Sequence, residues 1–268
     1  MHVSFTGLHK ARHRLRDERG FTLIELLLAT AAGLVVCAAA FAIVVSSLHF
    51  SANDAERVDS DQQGSVAMDK IVQALNSSCV LGAGVSPVVG VTGTSGATGS
   101  TTAPPSSDNS ITFYSSLTDA PAMSNPNEVR IYLSSTNGPL DMATYPWVAT
   151  GSTGSYAATP SSTLVLIPHA APPGSTSTQT STTPIFTYYG YDPTAGTLSD
   201  QYSSNPSLGA TNAATTAEVG VDFESQPSDG NDPAHGSVDL SDAVVLRLSA
   251  VSNYPDPNTG STGISPCA

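Results

Sequence analysis

The feature that most restricts this chain is a run of 28 residues, Leu26 to Asn53, without an aspartate, glutamate, lysine or arginine. A helix needs roughly 20 apolar residues to cross a bilayer, whereas the apolar core of a cleavable export signal is usually about 7–15 residues long. The run is therefore read as a membrane-spanning helix. Its N-terminal flank is basic: Lys10, Arg12, Arg14, Arg16 and Arg19 against Asp17 and Glu18 give the first twenty residues a net +3. The rest of the chain carries Arg57, Lys70, Arg130 and Arg247 against twenty acids, a net −16. Cationic flanks stay in the cytoplasm, so the body is expected outside it. Four scattered cations cannot present a basic stripe to phosphates, which argues against direct nucleic-acid binding. The acidity reads as a solvated surface.

Glu25, in ERGFTLIELLLAT (residues 18–30), does not suit a plain anchor. Insertion scales charge on the order of 2.5–3.5 kcal/mol for an ion such as Asp at mid-span, and less near an end. Such residues usually have a partner, and the nearest cation, Arg19, lies in the leader. Removing the leader between Gly20 and Phe21 would create an α-amine four residues from Glu25, with an unperturbed pKa of about 7.7–8.0. Inside one straight helix the two groups are poorly placed to neutralise each other. Between axially staggered helices, Glu25 of one chain can meet the amine of the next. A cleaved signal peptide and a simple signal anchor are the alternatives; the length of the run opposes the first and Glu25 the second.

GFTLIE followed by an apolar stretch, with Gly20 before the cut, Phe21 after it, Glu25 at the fifth mature position and a basic leader upstream, resembles the type IV prepilin signal shared by pilins and type II secretion pseudopilins. The resemblance implies cleavage after Gly20 and N-methylation of Phe21 by a membrane prepilin peptidase. It also implies assembly with other pilin or pseudopilin subunits into a helical filament or its tip, with Glu25 pairing to a neighbour's N-terminus and no cofactor. The cell membrane (inner or cytoplasmic) would hold the chain as a single-pass protein, N-terminus inside and head outside, before it enters a filament at the cell surface. The assembly platform and motor would act on it indirectly. The match covers residues 18 to about 50.

The remaining chain has the layout of that family. Met68, Ile71, Val72 and Leu75 recur at helical spacing, and no proline precedes Pro87. One helix from Phe21 to about Asn76 is predicted, some 56 residues and roughly 84 Å long at about 1.5 Å per residue. The alternative is a span followed by a separate amphipathic helix, with Gly64 as the break. The domains expected are a leader at 1–20, an apolar assembly helix at 21–50 and its amphipathic continuation at 51–78. A Gly/Ser/Thr/Pro-rich loop at 79–110 and a sheet head at 111–268 follow. Strands are predicted at 111–117, 128–135, 163–168, 184–192, 217–226 and 242–251, from β-branched and aromatic residues in part alternating with polar ones. Turns are predicted at 137–139, 193–196 and 228–232. The fold class is α+β: a type IV pilin-like long N-terminal transmembrane helix packed on an antiparallel sheet. The late order FTYYGYD, VGVDFES, VVLRLSA resembles the J-type pseudopilins or W-type minor pilins.

Other groups offer no chemistry. Cys37, in the span, reads as a small apolar residue. Cys79 and Cys267 would both lie outside the cytoplasm, where disulfides persist; a bridge between them and two unpaired thiols are both open. Asp229, Asn231, Asp232, Asp239 and Asp242, with Asp192 nearby, supply oxygens that calcium favours, and some pilin relatives hold calcium in loops. The EF-hand spacing is absent, so no metal is expected and the acids read as solvated turn residues. His49, His169 and His235 lack metal-ligand spacing. No G-x-S-x-G, P-loop or H-E-x-x-H occurs, and no enzyme is expected. Tyr188, Tyr189 and Tyr191 read as sheet residues. Three functions remain: a minor pilin or pseudopilin, a major pilin whose long loops would suit a shaft badly, and a membrane-anchored adhesin that never polymerises.

Overall fold

The computed structural model describes residues 22–79, 86–91, 104–115, 126–135, 137–150, 153–175, 182–192, 196–202, 207–227 and 236–246. The chain divides into two units, residues 1–52 and 53–268. Helix α1, Leu23–Asn76, runs 54 residues and contributes to both.

Among the described residues, nothing covers the helix in the first unit. Ile24, Leu28, Leu34, Phe41, Ile43 and Phe50 are all exposed in the single chain. An apolar surface this continuous is stable only against lipid or other apolar helices.

In the second unit α1 changes character. Ser60, Gly64, Ala67, Met68, Ile71, Ala74 and Leu75 are buried along one stripe, while Asp59, Asp61, Asp69 and Lys70 stay exposed. The stripe packs on an antiparallel sheet of eight strands: β1 (Ser110–Ser115), β2 (Asn127–Leu133), β3 (Gly138–Tyr145), β6 (Ser162–Ala171), β7 (Phe186–Asp192), β8 (Thr197–Gln201), β9 (Thr216–Ser225) and β10 (Val238–Val245). β4 (Trp147–Thr150) and β5 (Thr153–Tyr156) make a separate two-stranded sheet, and α2 (Ala210–Thr215) precedes β9. The path is β1-β2-β3-β6-β9-β7-β8, with β10 also on β9. β6 meets β9 at Ser225 and Glu224, β7 meets it at residues 216–221, and β10 pairs with residues 218–225. β6 and β7 thus share one edge of β9 and β10 takes the other.

Alternation on these strands explains the core. Ile111 and Phe113 pair with Ile131 and Val129, and all four join Leu140, Ile167, Val219, Val221 and Phe223 against Ile71 and Leu75 of the helix. The two flanks of the sheet are tied together by Tyr188. It is fully buried, and its hydroxyl reaches the carbonyls of Ser110 (2.9 Å) and Ser107 (3.1 Å). Beside it the amides of Ile185 and Phe186 both donate to the Asp108 carbonyl. On the opposite face of β1–β3 a smaller cluster holds Val89, Tyr114, Ala143, Tyr145 and Tyr156. There Tyr114 stacks on Tyr156 at 5.5 Å, and Trp147 meets Tyr156 edge-on at 5.1 Å.

Gly64 does not break the helix. A Cβ there would run into the Leu240 side chain and lie 3.1 Å from the Ser225 Cβ; the glycine lets the helix axis approach β9 and β10 closely. Strands β3, β4, β5 and β8 and helix α2 are additional to those expected from the sequence, and β10 begins at Val238 instead of 242. Within the Gly/Ser/Thr-rich stretch, Val88 and Val89 are buried, and the Val89 amide donates to the Thr112 carbonyl at 2.8 Å. The turn at 137–139 is present, with Asn137 at φ 58°, in the left-handed region that asparagine tolerates.

Candidate functional site

Glu25 is the third residue of α1 and is exposed. Thr22, just before the helix, accepts the Glu25 amide on its hydroxyl at 3.4 Å and on its carbonyl at 3.0 Å. This is the threonine half of a T-x-x-E capping box, and it fixes the first turn. The 22/25 spacing is itself legible in the sequence, and it is the signal that brings Thr22 into the site. An acid in the first turn also suits the positive end of the helix dipole. Around Glu25, Leu23, Ile24, Leu26, Leu27 and Leu28 are exposed, so this carboxylate sits in an oily collar, and the first cation after it among the described residues is Arg57. Gly20 and Phe21, where processing is expected, lie outside the described residues.

The remaining candidates separate by position. Cys37 is free and exposed on the uncovered helix, not packed in a core of its own chain. Cys79 is disulfide-bonded and buried, and its amide donates to the Tyr114 carbonyl at 2.9 Å, anchoring the helix end to β1. Cys267, the partner weighed for it from the sequence, lies outside the described residues, as do Asp229, Asn231 and Asp232. Asp239 and Asp242 lie in β10, not in a turn. Among the described residues no group of three or more His, Cys, Asp and Glu is placed to hold a metal. Tyr188 is core and Tyr191 is 47% exposed.

The comparison with known families falls on this N-terminal segment. Residues 15–41 match the family model described as the prokaryotic N-terminal methylation motif. The N-terminus is a type IV prepilin signal. The matched stretch contains Gly20, Phe21 and Glu25 and the first turns of α1. A prepilin signal on a helix long and apolar enough to cross a membrane marks a prepilin-peptidase type of substrate, anchored in the membrane by a single segment. With its long helix and antiparallel head, the chain has the α+β architecture of type IV pilin-like proteins. No curated protein matches the chain.

Proposed function

We propose that the chain is a minor pilin or pseudopilin, a subunit of a type IV pilus or a type II secretion-like filament. Prepilin peptidase cuts after Gly20 and methylates Phe21. The apolar half of α1 holds the subunit in the membrane, with the leader inside and the head outside, until assembly machinery lifts it into the fibre. Glu25 then meets the amine of a neighbouring subunit and sets the axial register. The observation that carries this reading is the exposed acid in the first turn of an otherwise apolar, uncovered helix, inside the matched prepilin motif. Burying the pair removes the cost of each charge, because an ion in hydrocarbon requires a counter-ion.

The late sheet order supports a subunit resembling the J-type pseudopilins or W-type minor pilins. The role is structural, not catalytic. A Cys79–Cys267 bridge would tie the tail of the chain to the helix end. A membrane-anchored adhesin that never polymerises is the competing function, and Glu25 separates the two. Mass spectrometry of the mature N-terminus should find methylated Phe21, and an intact Met1 would remove the amine on which assembly depends. In purified fibres, Glu25→Ala should be missing or strongly depleted; an adhesin would work unchanged with that substitution. Fibre stoichiometry then separates a minor subunit from a shaft subunit.

A further inference from the structure

The ribbon of β9 and β10 has two unlike faces. Towards α1 it presents Val219, Val221, Phe223, Leu240 and Val244, all in or packed on the core. The other face is acidic. The register sets Glu224 directly across from Asp239, and Asp222 across from Ser241, so Asp222 and Asp239 are diagonal neighbours. Direct partners have Cβ atoms about 4.5–5.5 Å apart, and like charges at that spacing oppose pairing. Glu224 is 5% exposed, Asp222 is half-buried and Asp239 is exposed. Burial first, and the Asp239 charge second, raise the pKa of Asp222; burial also raises that of Glu224, where a hydrogen bond from Ser237 opposes it and the Asp239 charge adds the least.

Among the described residues, no lysine or arginine is paired in register with this face. β6 sets Ala171 beside Glu224; His169, two residues earlier, lies on the same face of that strand and gives its carbonyl to the Gln226 amide at 3.0 Å. β7 sets Thr187 beside Gly220 and Tyr189 beside Glu218. On β10, Asp242 pairs with Val221 on the helix side. On α1, the acids Asp59 and Asp61 flank Ser60 and are exposed. Asp229, Asp232, His235 and Arg247 lie outside the described residues.

The ribbon is also what grips α1 where the helix meets the sheet. The Ser225 hydroxyl donates to the Ser60 carbonyl at 2.9 Å, and Leu240 lies against Gly64. We propose that β9 and β10 form an acid-tightened latch on the Ser60–Gly64 segment of α1: ionised, Asp222 and Glu224 face the Asp239 side chain across the ribbon and loosen β10, and proton uptake by Asp222 and Glu224 closes it. The sign follows from linkage. Carboxyls whose pKa is higher folded than unfolded bind protons preferentially in the folded state. Stability is therefore gained as pH falls through the raised values and lost as pH rises through them.

Hydrogen exchange on the full chain in detergent micelles, corrected for intrinsic rates, tests the latch. As pH is lowered from 7 through 5 into the ordinary carboxylate range, protection of the β10 amides should rise, because the carboxyls with raised pKa take up protons over that interval. At pH 7, Asp239→Asn and Glu224→Gln should each already show tighter protection; Glu224→Gln should lose most of the pH dependence, and Asp239→Asn the part that the Asp239 charge adds. Glu218→Gln, on the same face but opposite Val245, should leave the wild-type profile intact. Flat wild-type protection, pH dependence that survives undiminished in both neutral variants, or a change spread equally over β1–β3 would each overturn the proposal.

Discussion

α1 contains two glycines in opposite circumstances. Gly33 has open space around its absent Cβ, whereas Gly64 is pressed against Leu240 and Ser225. The same contrast holds for the halves of the helix that carry them. Around Gly33 nearly every side chain is apolar and uncovered, so partners outside the chain must satisfy that half. Around Gly64 one stripe is buried and the other faces are polar, so the chain satisfies that half itself. Under the proposed function, one helix carries an intermolecular code in its first half and an intramolecular one in its second. Substitutions should separate the two.

The largest effect is expected in the first half. Glu25→Ala should abolish or nearly abolish incorporation into fibres, scored by immunoblot of sheared filaments. Because Glu25 lies outside the head's core, thermal unfolding of the head should stay within about 0.5 kcal/mol of wild type. A head destabilised by this change would break the division. Next comes Ile71→Ala in the second half. Ile71 is fully buried, and truncation should cost about 2–5 kcal/mol in denaturant unfolding. Tyr188→Phe removes the hydroxyl that joins the sheet's flanks, while the Ser110 and Ser107 carbonyls keep each other's amides as donors. About 0.5–1.5 kcal/mol is expected, read in the same assay.

The glycines give a smaller and sharper comparison. Gly64→Val should destabilise the head by about 1–3 kcal/mol through overpacking, although valine is the better helix former. Gly33→Ala should leave the head untouched and strengthen the helix by about 1 kcal/mol, read as helicity in micelles. The smallest effect is on pH. With Asp222 and Glu224 raised by burial and by Asp239, the melting temperature of the head should climb modestly as pH falls from 7 towards 5, and Asp239→Asn should lessen that slope.

The N-terminal half of α1 is legible in the sequence because its rules are local. Charge-free length, a basic flank and one acid at a fixed offset need no tertiary information. The strands rich in β-branched and aromatic residues, such as ITFYS and EVGVDFES, stand out for the same reason. β3 does not, because GPLDMATY begins with Gly-Pro and buries Asp141; its place is set by β2 and β6 on either side, not by its own propensity. β8, TLSDQ, and α2, ATNAAT, are short segments that neighbours impose. Gly64 looks like a breaker in isolation since glycine weakens a helix, but here the close approach it permits outweighs that weakness. The carboxylates of β9 and β10 become a group only through strand register, which no spacing along the chain reveals.

The placement of β9 sets the order in which the head can be completed. Strands β6, β7 and β10 all depend on a segment that ends at Ser225 of a 268-residue chain, and the flank that closes on Tyr188 starts near Ser107. During synthesis the apolar segment emerges some 190 residues before β10, the last of these strands, is complete. Nonlocal closure of this kind is slow. A truncation anywhere before β9 should therefore leave an inserted anchor carrying strands with no template, a ready substrate for envelope proteases.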